Sequence, residues 1–207
     1  MLARQLLAVV SLTILLSAGG QALAKGCPFA KGYTSHRSDA FSASGVEGKY
    51  FERDGMRMDV AANRGHVWIS NETFTNAWIC VGFNFPKTTA RVAMGLAYWA
   101  VDDQNYHVVL VSPNGSVAWY QIVNNVPQIT QETDIAAVPD PHGNGQGVDL
   151  EAILTGNRLQ IIVNDVRVKT IEETPPQAPW RAGLFALAAG NDGYKALFPS
   201  VEIVELK

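Results

Sequence analysis

The sequence predicts an all-β chain folded as a two-sheet antiparallel β-sandwich of jelly-roll type. The first sign is a hairpin. In Leu159–Val168, Leu159, Ile161 and Val163 alternate with Gln160 and Ile162, and Val166 and Val168 follow around Arg167. Period-two alternation puts the first set on one face of a strand. Asn164-Asp165 between the halves suits a two-residue turn, because both residues tolerate positive φ. That loop length sets Val163 opposite Val166, Ile161 opposite Val168 and Gln160 opposite Lys169. The second sign is repetition: ten to twelve short strand patterns at regular spacing, with almost no helical periodicity. The third is Arg91–Val101, so poor in polar residues that it reads as a central strand covered on both faces.

Taken in order, residues 1–24 read as a secretory signal peptide. Arg4 is their one charge, Leu6–Leu16 is apolar, and Ala22-Leu23-Ala24 ends in a small-x-small cleavage pattern. An uncleaved anchor is the rival reading, but the run is short for a bilayer span and nothing later is longer. Cleavage near Ala24 would place the chain in the periplasm or outside the cell, without a stable membrane anchor. Residues 25–38 read as an extended N-terminal segment, and 39–207 as one domain. Within it the expected strands are Ala40–Ala43, Met56–Val60 after the Asp54-Gly55 turn, His66–Ser70, Ala77–Phe85 and Arg91–Val101. Tyr106–Val111 and Val117–Val123 follow, flanking the Pro113-Asn114-Gly115 turn. The stretch 124–144, with prolines at 127, 139 and 141, reads as a long irregular connection. Then come Val148–Leu154, the hairpin, Ala182–Ala189 and Leu197–Leu206.

Composition excludes some partners. The formal charge is −3, and loss of Arg4 with the leader makes it −4. A mildly acidic surface without basic runs argues against nucleic acid and against docking on anionic lipid. Two cysteines, Cys27 and Cys80, suit one disulfide in an oxidising compartment; two free thiols, with Cys80 a small core residue, is the other reading. Two cysteines and four scattered histidines show no zinc-ligand spacing.

The order of motifs resembles the concanavalin A-like lectin/glucanase superfamily. Asp54-Gly55-Met56-Arg57-Met58 is similar to its early "DG" strand. Gly95-Leu96-Ala97-Tyr98 followed by Asp102 to Tyr106 resembles its "G-apolar … D-x-x-N-Y" strand pair. Asn157-Arg158-Leu159 with Val163-Asn164-Asp165, then Gly183-Leu184-Phe185-Ala186, then Phe198-Pro199-Ser200-Val201 continue the series. Within the superfamily the pattern resembles laminin-G-like modules and the 3-keto-disaccharide hydrolase domain. Asp165 stands where a turn Gly is usual, and Pro199-Ser200 where Asp-Asn is usual. Glu202 and Glu205 do not make the E-x-D-x-x-E strand of the laminarinase branch. Lectins, glycanases and adhesive modules share this fold, so function must come from a site.

Glycan recognition needs ring faces for sugar C–H groups, and amides or carboxylates for hydroxyls. Those residue types concentrate between Tyr98 and Gln121. Gly95, Ala97 and Trp99 are expected on one face of their strand, so Trp99, His107, Trp119 and Gln121 are the candidate ligand-binding residues on a concave sheet face. The competing reading makes both tryptophans core. Asp102, Asp103 and Asn105 offer hard oxygens for Ca²⁺, which laminin-G-like domains often carry at a sandwich rim, or else form an ordinary polar turn. No catalytic residue is singled out. Hydrolysis would need a carboxylate pair, and Asp102, Asp103, Glu132, Asp134 and Asp140 are undistinguished by spacing. The expected function is non-enzymatic carbohydrate binding. A glycoside hydrolase acting on a keto-sugar or disaccharide is the alternative, and a structural or protein-interaction module is the third. A carboxylate pair on a cleft floor would favour the enzyme, a Trp-lined groove the lectin-like reading, and a flat aliphatic face the interaction module.

Overall fold

The computed structural model describes residues 41–43, 48–51, 55–86, 91–134, 147–177 and 179–206. The signal-peptide and extended N-terminal readings, Cys27, His36, Asp140 and His142 lie outside them. The described residues form fourteen strands: β1 (Phe41–Ala43), β2 (Gly48–Phe51), β3 (Gly55–Val60), β4 (Arg64–Ser70), β5 (Ala77–Asn84), β6 (Arg91–Ala100), β7 (Tyr106–Val111), β8 (Ser116–Val123), β9 (Val126–Asp134), β10 (Val148–Thr155), β11 (Arg158–Val163), β12 (Val166–Glu172), β13 (Arg181–Ala189) and β14 (Tyr194–Glu205). Two seven-stranded sheets result. Sheet A runs β1-β4-β13-β6-β7-β8-β9, and sheet B runs β12-β11-β10-β5-β14-β3-β2. Every pairing is antiparallel. This is the jelly-roll sandwich that the alternation predicts.

Each sheet buries one face against the other. Sheet A contributes Met94, Leu96, Val109, Val111, Val117 and Leu184; sheet B contributes Met58, Ile79, Val81, Leu150, Leu159 and Ile161. A fully buried aliphatic side chain is worth about 1.5–3 kcal/mol relative to exposure, so this layer drives the association of the sheets. Central β6 is buried along nearly its whole length, as its composition requires. Gly95 sits within it because a Cβ there would fall 1.9 Å from the Val109 carbonyl oxygen.

One register and one element differ from those predicted. In the β11–β12 hairpin, Val163 does pair with Val166 across Asn164 (φ 49°) and Asp165 (φ 65°), the left-handed turn that the sequence signals. A bulge between Ile161 and Ile162 then sets Ile161 opposite Lys169 and Gln160 opposite Thr170. An extra residue in one strand shifts everything beyond it. Likewise, 126–134 is a strand rather than irregular chain. β9 pairs with β8 at the edge of sheet A, where Pro127 is tolerated because one side of an edge strand needs no ladder bonds. Its turn, Asn124-Asn125, again has both residues at positive φ.

Candidate functional site

Trp99 ends up somewhere other than expected. Gly95 and Ala97 lie toward the outer face of sheet A, but Trp99 does not follow them. Its φ is +48°, a left-handed conformation rare for a bulky side chain. The β6–β13 register slips at the same place, between Arg181 and Gly183. The local twist breaks the period-two alternation, so Tyr98 and Trp99 both join the inter-sheet core. Trp99 is 1 % exposed and Trp119 2 %. The tryptophans are therefore interior, not displayed on an open concave face.

Three of the four predicted residues, Trp99, His107 and Gln121, nevertheless come together, and Trp119 lies two residues before Gln121 on β8. β6 and β7 pair Tyr98 with His107, and β7 and β8 pair His107 with Gln121 and Val109 with Trp119. Tyr98, Trp99 and His107 make a near-equilateral triangle of rings, with centroids 5.3, 5.3 and 5.4 Å apart. His107 Nδ1 lies 3.5 Å from Glu173 Oε2. Glu173 directly follows β12, where its backbone N–H donates to the Asn157 carbonyl at 2.9 Å. Lys169, on β12, holds its ammonium 5.6 Å from the Trp119 ring centroid. Gln121 is exposed. Strands β6–β8 of sheet A and the end of β12 of sheet B thus bring these side chains together between the layers, with Gln121 exposed and Glu173 partly exposed. Nothing in the local sequence marks Glu173, because its role depends on β12 facing β7 across the sandwich.

Burial sets the electrostatics. It lowers the His107 pKa from 6.5 to about 4, so the ring is neutral at physiological pH. Burial also raises the Glu173 pKa. Tyr98 is pushed well above the ordinary tyrosine range, first by burial and then by the charge of Glu173. Neither Tyr98 Oη nor Trp99 Nε1 has a hydrogen-bond partner, although both are fully enclosed. Elsewhere the buried phenol of Tyr194 donates to the Ala93 carbonyl. Buried polar atoms are normally satisfied, so two orphan donors in adjoining rings mark this place out.

The Asp102 turn forms the neighbouring rim. Asp102 Oδ1 accepts from the backbone N–H groups of Gln104 (2.8 Å) and Asn105 (2.7 Å), and both carboxylate oxygens accept from Asn105 Nδ2. Partial burial works against the charged form, but these hydrogen bonds outweigh it and hold the Asp102 pKa below its usual value. Asn105 Oδ1 in turn accepts from the Asn124 N–H. Oxygens of Asp102 and Asn105, two of the three residues considered for Ca²⁺, thus brace a turn. Among the described residues, no three His, Cys, Asp or Glu side chains gather as a metal site.

Two other surfaces bear on function. The outer face of sheet A is apolar: Val67, Ile69, Ala93, Ala97, Val108, Leu110 and Ile122, with Tyr106 and Phe185 rings 6.1 Å apart. On the outer face of sheet B, Glu151 and Glu202 pair directly with Cys80 from either side. Both glutamates are buried, and Trp78 Nε1 donates to Glu151 Oε2 at 2.8 Å. Cys80 is disulfide-bonded. Sequence patterning misses this pair, since the two residues are far apart in the chain and meet only through sheet order. Of the other carboxylates considered, Asp103 sits on the loop beside Tyr106, whose pKa is raised to about 12 by burial and then by Asp103. Glu132 and Asp134 are placed on β9 by their backbone.

No protein-family model matches the chain, and no characterised protein matches it in sequence. Solved structures match its shape. The carbohydrate-binding module CBM66 from Bacillus subtilis superposes with a TM-score of 0.63 at 14 % identity, over 83 % of this chain and 98 % of that one. A glycoside hydrolase family 16 endo-glucanase from Bacteroides ovatus gives 0.59 at 10 %, over 82 % and 96 %. The exoplasmic/lumenal domain of VIP36, bound to Ca²⁺ and Man3GlcNAc, gives 0.54 at 9 %, over 83 % and 86 %. At such identities the likeness concerns the fold alone: the chain has the concanavalin A-like jelly-roll architecture that its motif order resembles.

Proposed function

We propose that this protein binds carbohydrate without cleaving it, working in the periplasm or outside the cell after its leader is removed near Ala24. One observation carries the reading: a neutral imidazole, a carboxylate and an amide, His107, Glu173 and Gln121, meet over the buried rings of Tyr98 and Trp99. Sugar hydroxyls both donate and accept, and the exposed Gln121 amide beside the partly exposed His107 imidazole and Glu173 carboxylate answers that need. Neighbours in fold include a carbohydrate-binding module and a glycan-bound lumenal domain, which agrees with the proposal. A glycan array probed with the mature protein and with Gln121→Ala and His107→Ala variants tests it. Retention of a glycan class that both variants lose is the expected result; equal retention by all three would sink the reading.

A hydrolase is the second reading, favoured by the Glu151–Cys80–Glu202 row and by the family 16 glucanase among the fold neighbours. Residues two strands apart have backbones about 10 Å apart, near the separation of an inverting carboxylate pair. Against it, the disulfide-bonded Cys80 sits between them, where a scissile bond and its water would lie. Reducing-sugar release that disappears in Glu151→Gln would establish hydrolysis and overturn the binding-only proposal.

A further inference from the structure

The row that holds His107 and Gln121 continues one strand further. Tyr98 pairs with His107, His107 with Gln121, and Gln121 with Gln128 on β9. Residues directly opposite on neighbouring strands point to the same side of a sheet. His107 points inward, toward Glu173 at the end of β12, so Gln121 and Gln128 share that side. The next row along the strands repeats the placement, with Val123 paired to Val126.

Side chains on the inner side of a sandwich are normally covered by the opposite sheet, and these are not. β12 is the last strand of sheet B. It meets β8 through Lys169, whose ammonium lies over the Trp119 ring, and Glu173 just beyond it meets β7 at His107. β9 is one strand further out in sheet A than β8. Sheet A therefore overhangs the edge of sheet B. Exposure follows this geometry. Tyr98 is sealed, the His107 side chain is 13 % exposed, Gln121 and Gln128 are exposed, and Val126 is 55 % exposed. The overhang is an open shelf, and Glu173 and Lys169 stand where it meets sheet B.

The shelf has the chemistry of a polar, uncharged ligand. Two neighbouring amides each offer donors and a carbonyl acceptor, as hydroxyl groups require. Val123 and Val126 beside them offer apolar ground for C–H groups. Gln121, Gln128, Val123 and Val126 carry no charge, and Glu173 at the inner end repels anions. The tip of the shelf is also held in place before any ligand arrives. Asn124 and Asn125 both have positive φ, and their N–H groups donate to Asn105 Oδ1 at 3.1 Å and to the Gln104 carbonyl at 3.0 Å. A surface already ordered loses less conformational entropy on binding.

Resting on the glycan-binding reading above, we infer that Gln128 is a further ligand-binding residue, and that the shelf takes a neutral oligosaccharide laid across β7, β8 and β9. Adjacent strands are about 4.8 Å apart, so the row from His107 to Gln128 spans about 10 Å, more than one sugar ring covers. The sugar nearest sheet B meets His107, Glu173 and Gln121, and the next one meets Gln128 and Val126.

Calorimetric titration of the mature protein with neutral hexose oligosaccharides of one to four units tests this, with uronic-acid oligomers as the charged comparison. Affinity should rise from the single sugar to the longer chains. Gln128→Ala should lower the affinity for the longer chains about fivefold, the loss of one hydrogen bond, and leave that for the single sugar unchanged. Its melting temperature should match the native one, because the side chain removed is exposed. Equal affinity of the native protein and Gln128→Ala for a chain that His107→Ala no longer binds would overturn the shelf and leave glycan binding intact. Tighter binding of uronic-acid oligomers would overturn the ligand class. A native protein that sediments as a dimer, and as a monomer once Gln128→Arg is introduced, would make the shelf a contact between copies and overturn the inference. No binding of any oligomer by the native protein would overturn the inference together with the reading beneath it.

Discussion

Acidifying the protein from about pH 7 to about pH 5 should cost stability through His107. Its folded pKa of about 4 lies below the ordinary 6.5, owing to burial beneath the Tyr98 and Trp99 rings. The unfolded chain takes up this proton first. Stability is therefore complete above 6.5 and is lost as the pH falls toward 4. The whole gap, at about 1.4 kcal/mol per pH unit, limits the loss to about 3 kcal/mol, of which about 2 kcal/mol is gone by pH 5. Glu173 acts in the opposite sense. Its carboxyl is raised by burial, so the folded state accepts that proton more readily and recovers part of the loss at the acid end. His66, lowered by burial and then by Arg64, adds to the loss in both the native protein and any His107 variant. His107→Phe keeps a ring in the triangle but cannot titrate. Urea unfolding of both proteins at four pH values between about 7 and 5 isolates the effect: the native curve should fall about 2 kcal/mol further than the variant's. Parallel curves would refute the claim that burial holds His107 neutral.

The remaining predictions concern the frame around the site. Gly95→Ala should cost about 3 kcal/mol or prevent folding, since its Cβ would meet backbone that cannot yield; circular dichroism melts report it. Asp102→Ala should remove the braces of the Gln104–Asn105 turn at a cost of about 1 kcal/mol, and chelation with EDTA should leave the melting temperature of the native protein unchanged. A fall on chelation would show that a cation does use these oxygens. Non-reducing peptide mapping should join Cys80 to Cys27, the other cysteine in the sequence. Closing the chain between these positions stabilises by about 4 kcal/mol in the chain-entropy account, so reduction should lower the urea midpoint markedly.

The fold was legible wherever local chemistry decides it. Alternation and the Asn164-Asp165 turn identify the β11–β12 hairpin, and β6 reads as central because it lacks polar residues. β9 was not legible, because Pro127 and a polar run resemble a loop when the edge position is unknown. Of the site, the sequence brought Trp99, His107, Trp119 and Gln121 to notice through residue type. It could not orient them. The face of Trp99 is decided by one positive φ, a tertiary outcome that overrides the strand period. Glu173, and the Glu151–Glu202 pair, depend on which strands become neighbours, and short-range pattern holds no information on that.

The β11–β12 hairpin also bears on how molecules of this protein meet one another. β12 is the last strand of sheet B, so half of its peptide groups face outward, able in principle to template a foreign strand. Exposed Arg167 and the bulge opposite Ile161 and Ile162 spoil that template: one adds charge along the lip, and the other bends it out of plane. Crowded solutions of an all-β chain are threatened mainly by such docking of rim to rim. The irregularity that upset the simple register is thus a guard against polymerisation, and a variant with a straightened, uncharged β12 should form fibres at concentrations where the native protein stays clear.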